Sequence, residues 1–221
     1  MKKISTILFD FDGTLMDTNE VIIQSWQYAF RQIKGIEGDR AEIVKTFGEP
    51  IMLTLEKFFG GTEDDLKEFV RVYREYQTNV FEEEIILFPG VYDMLQRLKE
   101  LGYRMAVVTS RLGESTREGL RKFGIIDLFD VIITADDTSA HKPDPEPANI
   151  ALAKLGVSPE EAVMVGDTRM DIGCAKNAGV ISVLVGWSVA MSDEASRAEH
   201  APDYIVETAE EFVELMESLN A

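Results

Sequence analysis

The sequence lacks the features that mark secreted and membrane proteins. It contains one cysteine, Cys174, in 221 residues, so an internal disulfide is excluded and a reducing compartment is favoured. No apolar run approaches the length of a transmembrane span, and the short run after Met1-Lys2-Lys3 is broken by Ser5 and Thr6. These absences predict a cytoplasmic protein with no membrane partner.

Basic residues are also scarce. The chain has 22 lysines and arginines against 40 aspartates and glutamates, which gives a formal net charge of -18. This balance argues against general nucleic-acid binding, which needs a basic surface. A phosphate-containing ligand would therefore have to be bound locally by a metal, a lysine or backbone N–H groups.

Short apolar runs alternate with longer helical patterns along most of the chain. Apolar runs that are bounded by turns and lack polar alternation are typical of strands buried on both faces. The alternation predicts an α/β fold with a doubly wound, Rossmann-like parallel sheet. The predicted strands are Ile4–Phe9, Met105–Thr109, Val131–Thr134, Ala162–Gly166 and Ile181–Val185, and the predicted helices are Val91–Leu101, Glu114–Phe123, Pro147–Leu155, Arg169–Ala178 and Ala209–Leu219.

An all-helical segment interrupts this alternation after the first strand. Between about Asn19 and Glu84, apolar residues recur at spacings of three and four, and no run predicts a strand. We expect an inserted α-helical cap domain over residues 18–84 and a core domain over residues 1–17 plus 85–221. The helices predicted there are Val21–Ile33, Ala41–Phe47, Ile51–Phe59 and Leu66–Val80.

Local signals refine this insertion. Asp17 is predicted as the N-cap of its first helix, and Thr62 opens a capping box at the last helix. Gly60-Gly61 predicts a turn, and Glu82-Glu83-Glu84 predicts a solvated hinge. Gly48-Glu49-Pro50 predicts either a loop that dips over the cleft or an ordinary turn between helices.

Polar side chains follow three of the predicted strands. Asp10 and Asp12 follow the first strand, Thr109 ends the second, and Asp167 follows the fourth. Loops at the carboxyl ends of parallel strands converge on one crevice, so these side chains are expected to lie together. The complete set expected there is Asp10, Asp12, Thr109, Lys142, Asp167 and Asp171.

The sequence from Asp10 to Gly13 could also begin a calcium loop or a structural turn. A calcium loop would need glycine and glutamate where Leu15 and Val21 stand, so that interpretation fails, whereas a turn stays open. Two carboxylates one residue apart need a cation or a shared proton. With Mg²⁺ bound, one of the two could attack phosphorus while the other acts as general acid and base.

The four motifs together resemble the signature of the haloacid dehalogenase superfamily. They are Asp10-Phe11-Asp12-Gly13-Thr14-Leu15, Thr109, Lys142-Pro143, and Gly166-Asp167 with Asp171. The helical insertion is similar to the α-helical cap of that superfamily. The resemblance implies a core sheet ordered 5-4-1-2-3 and an aspartyl-phosphate intermediate.

The resemblance also implies a role for each motif residue. Asp10 would be the nucleophile and Asp12 the general acid/base, while Asp171 would support the metal site. The metal ligands for Mg²⁺ would be Asp10, Asp12 through its carbonyl, and Asp167. The phosphate-binding residues would be Gly13, Thr14, Thr109, Ser110, Arg111 and Lys142.

Departures from other branches of the superfamily favour a phosphatase. Dehalogenases and phosphonate-cleaving members lack the second carboxylate that Asp12 provides, and mutases usually carry a histidine that the stretch 19–33 lacks. Gly90-Val91-Tyr92 and Lys142-Pro143 are similar to segments of phosphoglycolate phosphatases and PpaX-type pyrophosphatases. The expected function is therefore a phosphatase that acts on a small phosphorylated metabolite. The alternative functions are a phosphosugar mutase and a catalytically silent binding module.

Four further residues have two interpretations each. Arg111 could grip a second anionic group of the substrate or form a surface ion pair. His141 could line the cleft or stand exposed, and Asp136 and Asp137 could steer Lys142 or cap a turn. For the assembly, a monomer or a weak homodimer is expected.

Overall fold

The computed structural model describes residues 3–49, 51–59, 61–191 and 194–221. Met1, Lys2, Pro50 and Gly60, which enter the sequence-based predictions, lie outside the described residues. Within the described ranges, every helix is too short or too polar to cross a lipid bilayer.

Eight strands, ten α-helices and three single-turn 3₁₀ helices (Ile126–Leu128, Ala135–Asp137 and Pro159–Glu161) make up the described fold. The strands are β1 (Thr6–Phe9), β2 (Met16–Asp17), β3 (Ile86–Leu87), β4 (Arg104–Val108), β5 (Val131–Ile133), β6 (Ala162–Gly166), β7 (Ile181–Val185) and β8 (Tyr204–Val206). The helices are α1 (Asn19–Lys34), α2 (Arg40–Val44), α3 (Ile51–Phe59), α4 (Glu63–Glu84), α5 (Val91–Glu100), α6 (Gly113–Lys122), α7 (Glu146–Leu155), α8 (Arg169–Ala178), α9 (Glu194–His200) and α10 (Ala209–Ser218).

Six of the strands form one parallel sheet in the order β5-β4-β1-β6-β7-β8. The predicted order is confirmed, with β1 at the centre and one extra strand, β8, beyond the fifth. Phe9 is in register with Val107 on one side and with Val165 on the other. The carboxyl ends of β1, β4 and β6 therefore stop at the same edge of the sheet.

Alternate residues of the central strands enter two apolar layers. Phe9 and Val165 face the layer covered by α5 and α10, whereas Leu8 and Met164 face the layer covered by α7 and α8. This alternation follows from the two-residue period of a strand and confirms the doubly wound α/β architecture. Cys174 is fully buried in the second layer, as expected of a packed residue.

Helices α1 to α4 form a separate apolar cluster. Trp26 on α1 packs against Phe69 and Tyr73 on α4, with ring centroids 5.4 and 5.6 Å away. Strands β2 and β3 pair antiparallel where the chain enters and leaves this cluster. We propose on this basis that residues 18–84 form a cap domain on the core.

Three local predictions about the insertion can be compared with the structure, and they have different outcomes. The capping box of Thr62 and Asp65 is confirmed. The predicted N-cap at Asp17 is wrong, because Asp17 is paired in β2 and Thr18 occupies the cap position. Asp17 Oδ1 nevertheless accepts a hydrogen bond from the Asn19 N–H at 3.2 Å. The predicted hinge at Glu82-Glu83-Glu84 is the last turn of α4, which ends where the Ile85 N–H bonds the Phe81 carbonyl.

Candidate active site

The sheet edge gathers the acidic residues that follow β1 and β6. Asp10 continues β1, and its N–H donates to the Val165 carbonyl at 2.9 Å. Asp167 follows β6, and Asp171 lies in the first turn of α8. Carboxylate oxygens of these three buried residues lie within 4.8 Å of one another. The expected convergence of strand ends therefore takes place.

Lys142 reaches the same point from the loop before α7. Its Nζ lies 2.8 Å from Asp10 Oδ1 and 2.5 Å from Asp171 Oδ1, and it also donates to the Val108 carbonyl at 3.3 Å. The lysine side chain is only 3% exposed. A buried ammonium needs such partners, because desolvation of an unpaired charge is costly.

Asp171 is held on both of its oxygens. Oδ1 accepts from Lys142, while Oδ2 accepts from the Thr168 N–H at 3.0 Å and from the Thr168 hydroxyl at 2.6 Å. The bond from the Thr168 N–H and a return bond from the Asp171 N–H to the Thr168 hydroxyl oxygen, at 3.4 Å, form the capping box that starts α8. Asp171 thereby fixes the position of Lys142 relative to this helix.

Asp167 keeps one oxygen open. Oδ2 accepts from the Ser188 hydroxyl at 2.5 Å, whereas Oδ1 is buried and has no hydrogen-bond partner among the described residues. Burial, together with the charges of Asp171 and Asp10, raises the pKa of Asp167 well above its usual value. An ionised carboxylate in this position requires a further cation.

The charges around Lys142 are unbalanced. Burial and the charge of Asp171 raise the pKa of Asp10 to about 7, although Lys142 opposes the shift. Burial lowers the pKa of Lys142, but Asp10 and Asp171 outweigh this effect and raise it overall. Three ionised carboxylates and one ammonium would carry a net charge of -2. The donor set, all carboxylate oxygens with one left open, fits a hard divalent cation such as Mg²⁺.

Asp12 points to a different partner. Arg111 Nε donates to Asp12 Oδ2 at 2.9 Å and Nη2 donates to Oδ1 at 2.7 Å, in a bidentate pair. The Arg111 side chain is 6% exposed, and its guanidinium lies 4.3 Å from the centre of the Phe81 ring on α4. The alternative of an ion pair is confirmed, but its expected place at the surface is wrong, because Phe81 of α4 covers the guanidinium. A contact between Arg111 and substrate stays a prediction.

A cavity of about 550 Å³ lies between these residues and helices α1, α3 and α4. His141 lines it, which confirms the cleft-lining alternative for this residue. The described residues of the predicted dipping loop, Gly48 and Glu49, also line it. The predicted site residues that line it are Asp10, Asp12, Gly13, Thr109, Ser110, Arg111, Lys142 and Asp167.

The remaining predicted residues lie around this cavity. Thr14 is outside its described lining, and the Thr14 carbonyl accepts from Trp187 Nε1 at 3.1 Å. Asp137 accepts from Thr134 in a capping box, and Asp136 accepts from the Gly113 N–H at 2.7 Å. These two aspartates therefore stabilise a turn and a helix start.

Sequence reasoning missed Ser188, Trp187 and the pairing of Arg111 with Asp12. Ser188 and Trp187 follow β7 in a stretch without a motif or a helical pattern. The signal available for them was their position just after a predicted strand, where loops converge on the crevice.

The parallel sheet, the helical insertion and the carboxylate–lysine cluster together define a class of α/β hydrolases. The chain belongs to the haloacid dehalogenase-like hydrolase family, whose model matches residues 7–185.

Two curated relatives are similar over almost their full length. The pyrophosphatase PpaX of Bacillus velezensis is 35% identical over 214 residues, covering 97% of each chain. The pyrophosphatase PpaX of Halalkalibacterium halodurans is 33% identical over 214 residues, again covering 97% of each chain.

Solved structures agree with this assignment. A haloacid dehalogenase-like family hydrolase from Streptococcus pneumoniae has a TM-score of 0.85 at 26% identity and covers 97% of this chain and 99% of its own. A predicted phosphoglycolate phosphatase from Haemophilus somnus has a TM-score of 0.84 at 25% identity, with the same coverage of both chains.

Proposed function

We propose that the chain is a Mg²⁺-dependent phosphatase or pyrophosphatase that hydrolyses a small phosphate compound through a phosphorylated Asp10. The observation that carries the proposal is the buried contact of Asp10 with Lys142 beside the open oxygen of Asp167. The names of the curated relatives support pyrophosphate, and one structural neighbour supports phosphoglycolate, as the kind of substrate.

The residues around Asp10 suit phosphoryl transfer. Asp10, Asp167 and the Asp12 carbonyl would hold Mg²⁺, which when bound would offset the negative charge of the phosphoryl oxygens. The Lys142 ammonium and the Thr109 and Ser110 side chains line the same cavity and can bind these oxygens. The Ser110 hydroxyl is buried without a hydrogen-bond partner among the described residues, so it is available for such a contact.

The reaction follows in two displacements. An Asp10 oxygen bonds to phosphorus while the bond from phosphorus to the leaving oxygen breaks, and Asp12 donates a proton to that oxygen. Asp12 then takes a proton from water, whose oxygen displaces Asp10 and releases inorganic phosphate. Asp12 is bound to Arg111 in the structure, so anionic oxygens of the substrate would compete with Asp12 for this guanidinium.

Asp10→Asn tests the nucleophile directly. We expect phosphate release from pyrophosphate, phosphoglycolate and sugar phosphates in Mg²⁺ to fall at least about 10³-fold, because the amide cannot form the acyl phosphate. Asp127→Asn, which changes an exposed aspartate, serves as the control. Wild-type protein that is acid-quenched during turnover should carry an acyl-phosphate label, and the variant should not.

Other outcomes would contradict the proposal. Turnover that survives in folded Asp10→Asn protein would refute the nucleophile. Full activity in EDTA would refute the metal requirement. Isomerised sugar phosphate without free phosphate would indicate a mutase.

A further inference from the structure

Among the described residues, three with a fixed positive charge line the cavity, and two of these are paired. Lys142 is bound by Asp10 and Asp171, and Arg111 is bound by Asp12. Arg74, on α4, lines the cavity and has no hydrogen bond or ion pair with any residue in the described part of the chain. Resting on the proposed function, we propose that Arg74 binds a second anionic group of the substrate.

The position of Arg74 on α4 supports this assignment. Arg74, Gln77 and Phe81 are three and four residues apart, so they share one face of the helix. Phe81 on that face lies against the Arg111 guanidinium, which in turn holds Asp12. Arg74 is two helical turns from Phe81, about 10 Å along the axis, and is therefore placed away from the phosphoryl group rather than on it.

Neighbouring groups leave Arg74 available to an anion. Gln77 Nε2 donates to the Tyr73 hydroxyl at 3.0 Å, and all three side chains line the cavity. Arg74 is half-buried, and no carboxylate pairs with it among the described residues. In a chain with a net charge of -18, such an arginine is the kind of local site that an anionic ligand requires.

Arg71, on the same helix, differs from Arg74 because it forms ion pairs. It is exposed and lies 2.8 Å from Glu68 and 2.9 Å from Glu75. The helix therefore neutralises the arginine on its outer face and leaves the one facing the cavity unpaired. A guanidinium can bind a phosphate or a carboxylate with two parallel hydrogen bonds. The preferred substrates are therefore small phosphate compounds that carry a second anionic group, as pyrophosphate and phosphoglycolate do.

Arg74→Gln tests the assignment because it removes the charge and keeps most of the side-chain volume. Steady-state kinetics are measured at a fixed concentration of free Mg²⁺ with pyrophosphate, phosphoglycolate and p-nitrophenyl phosphate. We expect KM for the first two to rise about 10-fold to 100-fold, as for loss of one hydrogen-bonded charge. The rise for p-nitrophenyl phosphate, which lacks the second anion, should be about tenfold smaller.

Two further variants control the experiment. Arg74→Lys should recover part of the affinity for the two-anion substrates, whereas Arg71→Gln should leave all three KM values within about twofold of wild type. Calorimetric titration of pyrophosphate into Asp10→Asn protein, with and without Arg74→Gln, measures the same contact without turnover.

The outcomes separate this inference from the proposed function. Equal losses on all three substrates, or unchanged KM values in Arg74→Gln, would overturn the second-anion site and leave the phosphatase proposal intact. If wild-type protein released no phosphate from any substrate, the phosphatase proposal would be overturned. The calorimetric comparison of pyrophosphate binding with and without Arg74→Gln would then still show whether Arg74 binds an anion.

Discussion

Gly13 shows how closely the loop after β1 approaches the loop after β6. A Cβ atom added at Gly13 would lie 2.0 Å from Asp167 Oδ2, and the backbone there has a φ of 74°. Both the left-handed conformation and the space therefore require glycine. The Asp167 carboxylate keeps its position because no side chain stands on Gly13.

We expect Gly13→Ala to inactivate the enzyme by displacing Asp167. The measurement is phosphate release together with thermal unfolding, and kcat/KM should fall by about 100-fold or more, since a misplacement of 1 Å can have such an effect. Gly35→Ala is the matched control, because Gly35 has a φ of 65° with no atom within 4 Å of the added Cβ. Both variants should lose about 1–2 kcal/mol of stability through strain, but only Gly13→Ala should lose activity. Equal activities in the two variants would show that the contact with Asp167 is unimportant.

The positions of some site residues could be predicted from the sequence, whereas the partners of others could not. Asp10, Asp167 and Lys142 could be placed together because strand ends of a parallel sheet converge and because their motifs resemble a known signature. The partner of Arg111 could not be predicted, since it depends on α4 lying over the guanidinium. Ser188 was missed for a similar reason, because its contact with Asp167 depends on the path of an irregular segment.

At the scale of elements, the loop before α3 joins the helical insertion to α8. Gly48 lies so close to Thr168 that an added Cβ would be 2.6 Å from its hydroxyl oxygen. Arg169, the first residue of α8, forms an ion pair with Glu49 and donates to the Lys45 carbonyl at 3.2 Å. Glu49 is nearly buried, so this pair is less screened by solvent than a surface pair.

Arg169→Gln should loosen this loop from the core. Hydrogen exchange of the loop, residues 45–49, should accelerate, and kcat/KM should fall about threefold to tenfold if the loop closes the substrate cavity. A double-mutant cycle with Glu49→Gln should give a coupling of about 1 kcal/mol. Arg40→Gln, which breaks an exposed pair with Glu20 inside the helical insertion, is the control and should leave exchange in the loop unchanged. If hydrogen exchange of the loop were unchanged in Arg169→Gln, the ion pair between Arg169 and Glu49 would have no role in closing the loop over the cavity.

Elements were predictable where burial dominates and were missed where it does not. The bounds of β6 and β7 match the predicted ones to the residue, because both are mostly apolar and almost fully buried within the sheet. Strand β8 was missed because it has three residues, of which Tyr204 and Ile205 are 38% and 44% exposed. A short edge strand lacks the apolar run that identifies a buried one. The pair of β2 and β3 has only two residues in each strand and no pattern of its own.

At the scale of the whole molecule, the site concentrates negative charge inside a chain that is already acidic. The net charge of -18 is mostly on the surface, where water and salt screen it. The carboxylates of Asp10, Asp167 and Asp171 are buried around one lysine and are not screened in this way. Folding of the metal-free protein must therefore either protonate this cluster or accept its repulsion.

This requirement predicts how stability changes with pH in the metal-free protein. The pKa of Asp10 rises from 3.8 to about 7, so between about pH 4 and 7 the folded state holds a proton that the unfolded state releases. The free energy of unfolding therefore receives a contribution from Asp10 that falls as the pH rises through this window and is constant above it. Asp10→Asn removes the contribution, so its stability relative to wild type should increase from pH 4 to 7.

Urea unfolding in EDTA at several pH values between 4 and 8 measures this difference. Asp127→Asn should show a much flatter difference from wild type, because that aspartate is exposed and far from the cluster in sequence. Mg²⁺ should stabilise wild type more at pH 8 than at pH 5, because protons and the metal compete for the same oxygens. The stability of Asp10→Asn relative to wild type could instead stay constant or decrease as the pH rises. That result would mean that Lys142 alone neutralises Asp10, and it would contradict the electrostatic argument for a divalent cation at this cluster.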